Sequence, residues 1–370
     1  MRTIAITANT SWYLFNFRRN TIVNLLNNGY KVIVVAPRDD YTDRLSDLGC
    51  IFLNVKIDQG GANPINDIVS FFYFIKIYAF NHIDLVLNFT PKNNIYSTLA
   101  AKIFGIKVIN NIAGLGFLFN HSGIKTKIAR VLYKYSQKFC DKIFFQNDED
   151  MGLFLKHRIS SAVISERLPG SGVDLNRFSV MRAEDDNVIR FLLIARMLYD
   201  KGVGHYVEAA RVLRSKYGSK VEFNLLGFLD VNNPSAVSKE QMQLWVDEGI
   251  VNYLGVSDSV EKEIARVDCM VLPSFYREGV PKSLLEAGAM GKPIVTTDNV
   301  GCRETVEHGV NGFLCEPRST ESLIVMLDKM IQLSHQERLN MGYESRKKIE
   351  REFDEQIVIN KYLDAIKSVL

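Results

Sequence analysis

The five cysteines of this chain, Cys50, Cys140, Cys269, Cys302 and Cys315, form no C-x-x-C pair and are too scattered to staple a small fold. They read as reduced thiols of a cytosolic protein. The six histidines are isolated, and no His/Cys group has metal-ligand spacing. No G-x-G-x-x-G follows the first apolar run, which argues against a dinucleotide dehydrogenase, and no Walker lysine motif occurs. Long apolar runs are also missing. The N-terminal MRTIAITANTSW has polar residues where a secretory leader needs apolar ones. The most apolar segment, Ile68 to Phe80, contains Lys76 and falls short of the roughly 20 residues that span a bilayer. The sequence therefore predicts a protein that is not integral to a membrane. A net charge of +3 is too small to argue for nucleic acid.

What is present is ordinary globular composition, 47% hydrophobic and 24% charged over 370 residues, a length that suggests two domains. Each is large enough to bury a core without disulfides or a structural metal. Residues 1–186 hold 22 Lys and Arg against 16 Asp and Glu, whereas the remainder holds 23 against 26. A basic front half suits an anionic partner, such as a phosphorylated acceptor or an acidic membrane surface.

Short apolar runs alternate with amphipathic segments. Strands are expected at 3–8, 31–36, 85–88, 107–112 and 142–146, with helices near 18–28, 94–104 and 124–139. From Leu168 to Asn187 the pattern breaks into turn-rich LPGSGVDLNRF and charged MRAEDDN, and then restarts with a strand at 188–195. Such alternation means parallel sheets covered on both faces. The expected division is an N-terminal domain 1–170, a linker 171–187, a C-terminal domain 188–355 and a tail, 356–370.

In open parallel sheets ligands bind beyond the carboxyl ends of the strands. Two such places stand out. ARMLYDKG, Ala195 to Gly202, carries Arg196 and Lys201 on a loop leading into a helix. Two cations beside a helix N-terminus can clamp a diphosphate; alternatively the loop is solvated and pairs with Asp200. LPSFYREGVPKSLLEAGAMGKPIV, Leu272 to Val295, reads as strand, loop and a helix with Pro281 at its first position, closed by Gly291. Amides around Val280, Lys282 and Ser283 can receive an anion. Glu278 in the loop can accept hydrogen bonds from sugar hydroxyls, and Glu286 on the helix can take both ribose hydroxyls. The structural alternative makes Glu278 a helix-end charge and Glu286 a surface acid.

These two stretches, with SGVDLNRF, YLGVSDSVEKEIARVDCMVLPS and GCRETVEHGVNGFL, resemble the retaining family 4 glycosyltransferases. TSWYLFNFR (Thr10–Arg18) and NIAGLGFLF (Asn111–Phe119) resemble N-terminal loops of members that extend sugars on undecaprenyl diphosphate. The resemblance implies the α/β GT-B fold, two Rossmann-like domains with parallel sheets facing across a cleft, the 356–370 helix crossing back to the first domain. It implies that Arg196 and Lys201 bind the donor diphosphate, that Glu278 contacts the sugar, and that Glu286 holds the ribose. Gly279, Val280, Pro281, Lys282, Ser283, Gly227 and Val256 complete the donor site. On the acceptor side it implies Asn9, Thr10, Ser11, Asn16, Arg18, Asn111, Gly114 and Gly116. One departure is visible. Many members carry a histidine near the reacting sugar, but here the matching region is Asn110-Asn111-Ile112-Ala113-Gly114, so backbone groups or the asparagines must serve.

Three further signals have competing readings. Asp148-Glu149-Asp150 imitates a D-x-D metal motif, but Asn147 as a helix cap accounts for it better. The segment 124–139 has apolar residues at helical spacing together with Lys125, Lys127, Arg130 and Lys134. It is either a core-facing helix with a solvated basic face or a helix lying on a membrane surface. Phe71 to Phe74 reads as core. The expected protein transfers a sugar, with an N-acetylhexosamine such as GalNAc favoured, from a UDP-linked donor to a polyprenyl-diphosphate-linked saccharide. It needs no metal or cofactor, binds no nucleic acid, and sits at the cytoplasmic face of the membrane. The rivals are a hexose donor, a soluble acceptor, or a nucleotide-sugar binding module without turnover. A sugar hydrolase fits poorly, because basic residues accompany the acids.

Overall fold

The structure, a computed structural model, describes residues 1–57, 63–115, 124–182 and 184–370. The chain divides into two compact units, one of Met1–Ser171 with Gln356–Leu370, the other Gly172–Glu355.

The first unit is built on seven strands: β1 (Thr3–Thr7), β2 (Lys31–Ala36), β3 (Ile51–Asn54), β4 (Leu85–Asn88), β5 (Lys107–Ile112), β6 (Lys142–Phe145) and β7 (Ser165–Arg167). All pairings are parallel, in the order β3-β2-β1-β4-β5-β6-β7. Successive side chains leave opposite faces of a strand, so an apolar strand needs a cover on both sides. Ala5, Ile33, Val86, Val108 and Ile143 pack under α3 (Pro64–Phe80), α4 (Thr98–Ile103) and α5 (Ile124–Ser136). Ile4, Ile6, Leu87, Ile109 and Phe144 pack under α1 (Ser11–Asn27), α2 (Thr42–Ser46) and the last helix. A further helix, α6 (Asp148–Lys156), follows β6.

The second unit has β8 (Ile189–Ile194), β9 (Val221–Leu226), β10 (Asn252–Tyr253), β11 (Cys269–Leu272), β12 (Ile294–Thr297) and β13 (Gly312–Cys315). The order is β10-β9-β8-β11-β12-β13, again parallel throughout. Its helices are α7 (Val203–Tyr217), α8 (Lys239–Asp247), α9 (Val260–Ala265), α10 (Lys282–Ala289), α11 (Thr320–Gln332) and α12 (His335–Glu352). The closing helix, α13 (Glu355–Val369), returns to the first unit, where Val358, Tyr362 and Ile366 are buried. In each sheet the strand order reverses beside the unit's first strand, between β1 and β4 and between β8 and β11. Crevices for ligands open at such switch points.

Several local expectations change. The 171–187 span is turn-rich, yet Val173 and Phe178 are buried in the core of the second unit, and Val173 exchanges backbone hydrogen bonds with Phe353 and Glu355. Two apolar anchors hold what composition reads as linker. The Thr10–Arg18 stretch is helical rather than loop. The Thr10 side chain caps α1 by accepting from the Tyr13 amide, and Tyr13 and Phe17, four apart, stack at 4.9 Å. Of the aromatic run on α3, Phe74 is buried as core, but Phe72 is 61% exposed. A helix with four consecutive aromatics cannot turn them all inward at 3.6 residues per turn. No helix among the described residues is long and apolar enough to cross a membrane.

Candidate active site

In the second unit, both stretches singled out in the sequence follow the two strands that flank the switch point. After β8 the chain runs through Arg196 and a short 3-10 turn, Tyr199–Lys201, into α7. The junction residue Gly202 has φ +80°, and a Cβ there would lie 2.1 Å from the Pro273 carbonyl oxygen. Only glycine permits that approach. It brings the loop after β8 against the loop after β11, and the Asp200 carbonyl accepts from the amides of Phe275 and Tyr276, each at 3.1 Å.

This stitching decides what Lys201 meets. Its ammonium pairs with Glu278 rather than with Asp200, and Ser274 Oγ donates to the same carboxylate at 2.9 Å. Both side chains are mostly buried, 14% and 12% exposed, with the Tyr276 ring 5.6 Å from the ammonium. An ammonium has three N–H donors, so engaging Glu278 leaves it able to reach a phosphate oxygen as well. Arg196 is exposed at the end of β8. The neighbouring Cys302 thiol is pushed up to about 12 by burial, reinforced by the Glu278 charge, so it stays protonated and is no nucleophile at neutral pH.

The loop after β11 leads into α10. Pro281 is the cap of this helix, with φ −63° and ψ 120°, and Lys282 is the first helical residue. That is one position later than the sequence suggests. The Leu284 and Leu285 amides both turn back to the Pro281 carbonyl, at 3.2 and 3.3 Å, so the ladder starts there. The Lys282 and Ser283 amides lie ahead of it, at the positive end of the helix dipole. One turn on, Glu286 is largely buried, and Lys282 Nζ stands 3.9 Å away. Burial pushes the Glu286 carboxyl up, against the downward pull of Lys282 and Arg177. A raised, buried carboxylate at the carboxyl end of the sheet is not the surface acid of the structural alternative, and hydroxyl donors would stabilise its ionised form.

The other strand ends close on the same place. Gly227, after β9, has φ +141°; a Cβ there would lie 1.9 Å from the Ala195 carbonyl oxygen, next to Arg196. Its amide donates to the Gly255 carbonyl at 2.7 Å, and the adjacent Val256 is exposed. Sequence reasoning missed three participants. Ser274 holds Glu278. Asn299 Nδ2 donates to the Tyr276 carbonyl at 3.0 Å. Gly301, φ +86°, supports Gly279 so closely that a Cβ would fall 1.6 Å from its carbonyl oxygen. A glycine at the turn after β12, in GCRE, marks the position, but a turn alone accounts for it, so the close approach to Gly279 had no separate signal.

The first-unit residues are less uniform. Asn9 and Asn16 are half-buried, and Asn16 Nδ2 donates to the Trp12 carbonyl. Ser11 is buried and donates to the Pro37 carbonyl at 2.8 Å. Arg18 is wholly buried in α1, with Nη2 donating to Tyr13 Oη and Ser171 Oγ and the guanidinium 4.3 Å from the Phe89 ring. Ser11, Asn16 and Arg18, read as loop, are helical, while Asn9 precedes the Thr10 cap of α1. Asn111 lies in β5, within the strand expected at 107–112. Of the two asparagines, Asn110 is consumed in the sheet, accepting from Asn88 and donating to Gln137, both at 2.8 Å. Asn111 has a buried carboxamide with no partner among the described residues. Gly114 takes φ +125°, and Gly116 lies outside the described residues. Lys127 and Lys134 are exposed on α5, Arg130 is half-buried, and the Lys125 side chain lies outside the description. The D-x-D look-alike is a capped helix start. The Asn147 side chain accepts from the Asp150 amide, Asp150 accepts from the Leu115 amide, and Asp148 pairs with Arg167.

Two doubly covered parallel units of this strand order, with cations after one switch-point strand and acids and a helix opening after its neighbour, define a GT-B glycosyltransferase. Residues 189–333 match the model of the glycosyl transferases group 1 family, and residues 3–147 match the companion glycosyl transferase 4-like model, so the two glycosyltransferase models together account for most of the chain. It is 29% identical to the N,N'-diacetylbacillosaminyl-diphospho-undecaprenol alpha-1,3-N-acetylgalactosaminyltransferase of Campylobacter jejuni, with 96% of each chain covered. It is 24% identical to the UDP-Gal:alpha-D-GlcNAc-diphosphoundecaprenol alpha-1,3-galactosyltransferase of Escherichia coli, over 82% of this chain and 79% of that one. Among solved structures, Anabaena HepE in complex with UDP shares the fold with a TM-score of 0.78 at 17% identity, each chain covered completely.

Proposed function

We propose that the protein transfers an N-acetylhexosamine, GalNAc in the first instance, from a UDP-sugar to a polyprenyl-diphosphate-linked saccharide, with retention at the anomeric carbon. The observation that carries this reading is the joining of Lys201 and Glu278, beside Arg196 and the opening of α10, at one switch point. A diphosphate leaving group develops charge as the glycosidic bond breaks, and preorganised cations and helix amides stabilise it where it forms. Arg196 and Lys201 supply that charge from the chain itself, so the reaction is read as metal-independent and without a cofactor. Glu278 orients the sugar hydroxyls and Glu286 the ribose, while Gly279 to Ser283, Gly227 and Val256 line the donor. The acceptor hydroxyl attacks the face the phosphate leaves and passes its proton to the departing phosphate oxygen, so no protein nucleophile is needed. Asn9, Thr10, Ser11, Asn16, Arg18, Asn111, Gly114 and Gly116 are assigned to the acceptor side.

Support for the donor and the lipid acceptor comes from the names of the C. jejuni and E. coli relatives. The latter, a galactosyltransferase, favours a hexose donor as the second reading. We place the protein at the cytoplasmic face of the membrane in surface-glycan, O-antigen or glycoprotein-glycan assembly, with Lys125, Lys127, Arg130 and Lys134 of α5 toward anionic lipid. The test is incubation with a panel of UDP-sugars and a lipid-diphosphate saccharide, followed by mass spectrometry. A gain of one N-acetylhexosamine is expected. A gain of one hexose selects the second reading, and no UDP release from any donor leaves a binding module.

A further inference from the structure

The exposed apolar side chains of the first unit are not spread over it. Of thirteen large hydrophobics exposed among its described residues, ten belong to α3, to α4 with its cap, and to α5. All three helices cover the same sheet face, since Phe74, Ile77, Ala100, Ala101 and Tyr133 enter one core. Their opposite sides therefore look away from the sheet in a common direction.

On α3 the buried positions Ser70, Phe74, Ile77 and Tyr78 mark the inner face, and Ile65, Ile68 and Phe72 form an outer stripe at spacings of three and four. On α5 the outer stripe is Ile128, Val131 and Tyr135, and α4 contributes Ile103 and Phe104. A surface of this kind on a soluble chain marks an interaction site. Its charge identifies the partner. Lys76, Lys102, Lys127, Lys134 and Lys138 are exposed around the stripes. In all three helices the one acidic residue is Asp67, already paired with Lys92 at 2.7 Å. Apolar stripes edged by cations, with no acid free to answer a partner's bases, match an anionic lipid surface.

We infer that α3, with Phe72 as the aromatic member of its outer stripe, inserts into an anionic bilayer alongside α5, so that an apolar wedge and not a basic helix alone holds the protein to lipid. The inference deepens the membrane reading of α5 and rests on it for the partner. Apolar burial gives depth and lysines give attraction to the headgroups, and the two contributions are separable by salt and by mutation.

The experiment is flotation of the full chain with vesicles of phosphatidylcholine and phosphatidylglycerol, against phosphatidylcholine alone. Phe72→Glu is expected to weaken partitioning about tenfold, the loss of one buried aromatic anchor, at both low and high salt. Lys127→Glu/Lys134→Glu weakens it chiefly at low salt. Phe72→Trp is expected to shift its emission to the blue on vesicles and to be quenched by brominated lipid, above the background of the native Trp12 and Trp245. Transfer to a water-soluble acceptor without vesicles stays at the wild-type rate in Phe72→Glu. Unchanged flotation of Phe72→Glu, or no quenching of Phe72→Trp, overturns the inference in favour of α5 alone. So does wild-type protein that ignores anionic vesicles, or a dimer in light scattering that Phe72→Glu dissociates, which would make a second copy the occupant. Loss of soluble transfer in Phe72→Glu also overturns it, by giving the face a role in the fold or the acceptor site. Wild-type protein that inserts yet transfers no sugar to any acceptor sinks the proposed function and leaves this inference standing.

Discussion

Lys201→Met separates the structural from the chemical role of the Lys201–Glu278 pair. The pair is neither a surface salt bridge, worth at most about 1 kcal/mol, nor fully buried, where removing one partner costs about 3–5 kcal/mol. With exposures of 14% and 12% and Ser274 still donating to Glu278, the loss should be about 2 kcal/mol. In the double variant Lys201→Met/Glu278→Gln no carboxylate is left without its cation, so part of that loss should return. Turnover should behave otherwise. If Lys201 also stabilises the leaving diphosphate, its removal lowers kcat by about 100- to 1,000-fold, the size seen when one preorganised donor is lost. The second substitution cannot restore it. Urea unfolding gives the stabilities, and UDP release at saturating donor gives kcat. The expected order is wild type, double, single for stability, with the double variant at least as slow as the single, since it also loses the carboxylate assigned to the sugar. A single variant turning over within threefold of wild type would reduce Lys201 to a structural counterion. A double variant no more stable than the single would show that the two groups are not coupled.

Arg196→Ala should leave stability within about 0.5 kcal/mol, as at other exposed sites, while lowering kcat about 100-fold; near wild-type turnover removes Arg196 from the clamp. Gly301→Ala should cost several kcal/mol and raise the donor KM, because the added Cβ meets the Gly279 carbonyl. Gly309→Ala, with φ +80° but nothing within 4 Å, should cost only about 1–2 kcal/mol for the left-handed backbone. Equal melting temperatures for the two would refute the close-approach argument. Glu286 has a carboxyl pKa raised in the folded state, so its favourable contribution to stability is complete below the ordinary glutamate range and is lost as pH rises through the raised value. Glu286→Gln cannot ionise. It should match wild type at low pH, be the more stable at neutral pH, and bind donor about tenfold more weakly for loss of a charged acceptor. Parallel stability curves across that pH range contradict it.

Much of this protein was legible in one dimension because the signals are local. The apolar period of Thr3–Thr7, Lys31–Ala36 and Lys107–Ile112, with helical spacing between them, reports parallel strands covered on both faces wherever it occurs. The motif residues could likewise be read, because the carboxyl end of a strand is a position along the chain. Other matters depended on what lies opposite. Lys201 had Asp200 as its sequence neighbour, and only the approach of Gly202 to Pro273 gave it Glu278 instead. Gly301 and Ser274 join the site through contacts of backbone and side chain that no spacing predicts. Thr10 to Arg18 is expected as loop from the resemblance to N-terminal loops, not from any period in the residues. Tertiary burial of Arg18, and the stacking of Tyr13 on Phe17, make it helix. Phe72 and Phe74 are the same residue type two positions apart, and a turn of about 200° sends one into the core and the other to solvent. Pattern along the chain decides which elements form; which group each side chain faces is settled only when distant segments meet.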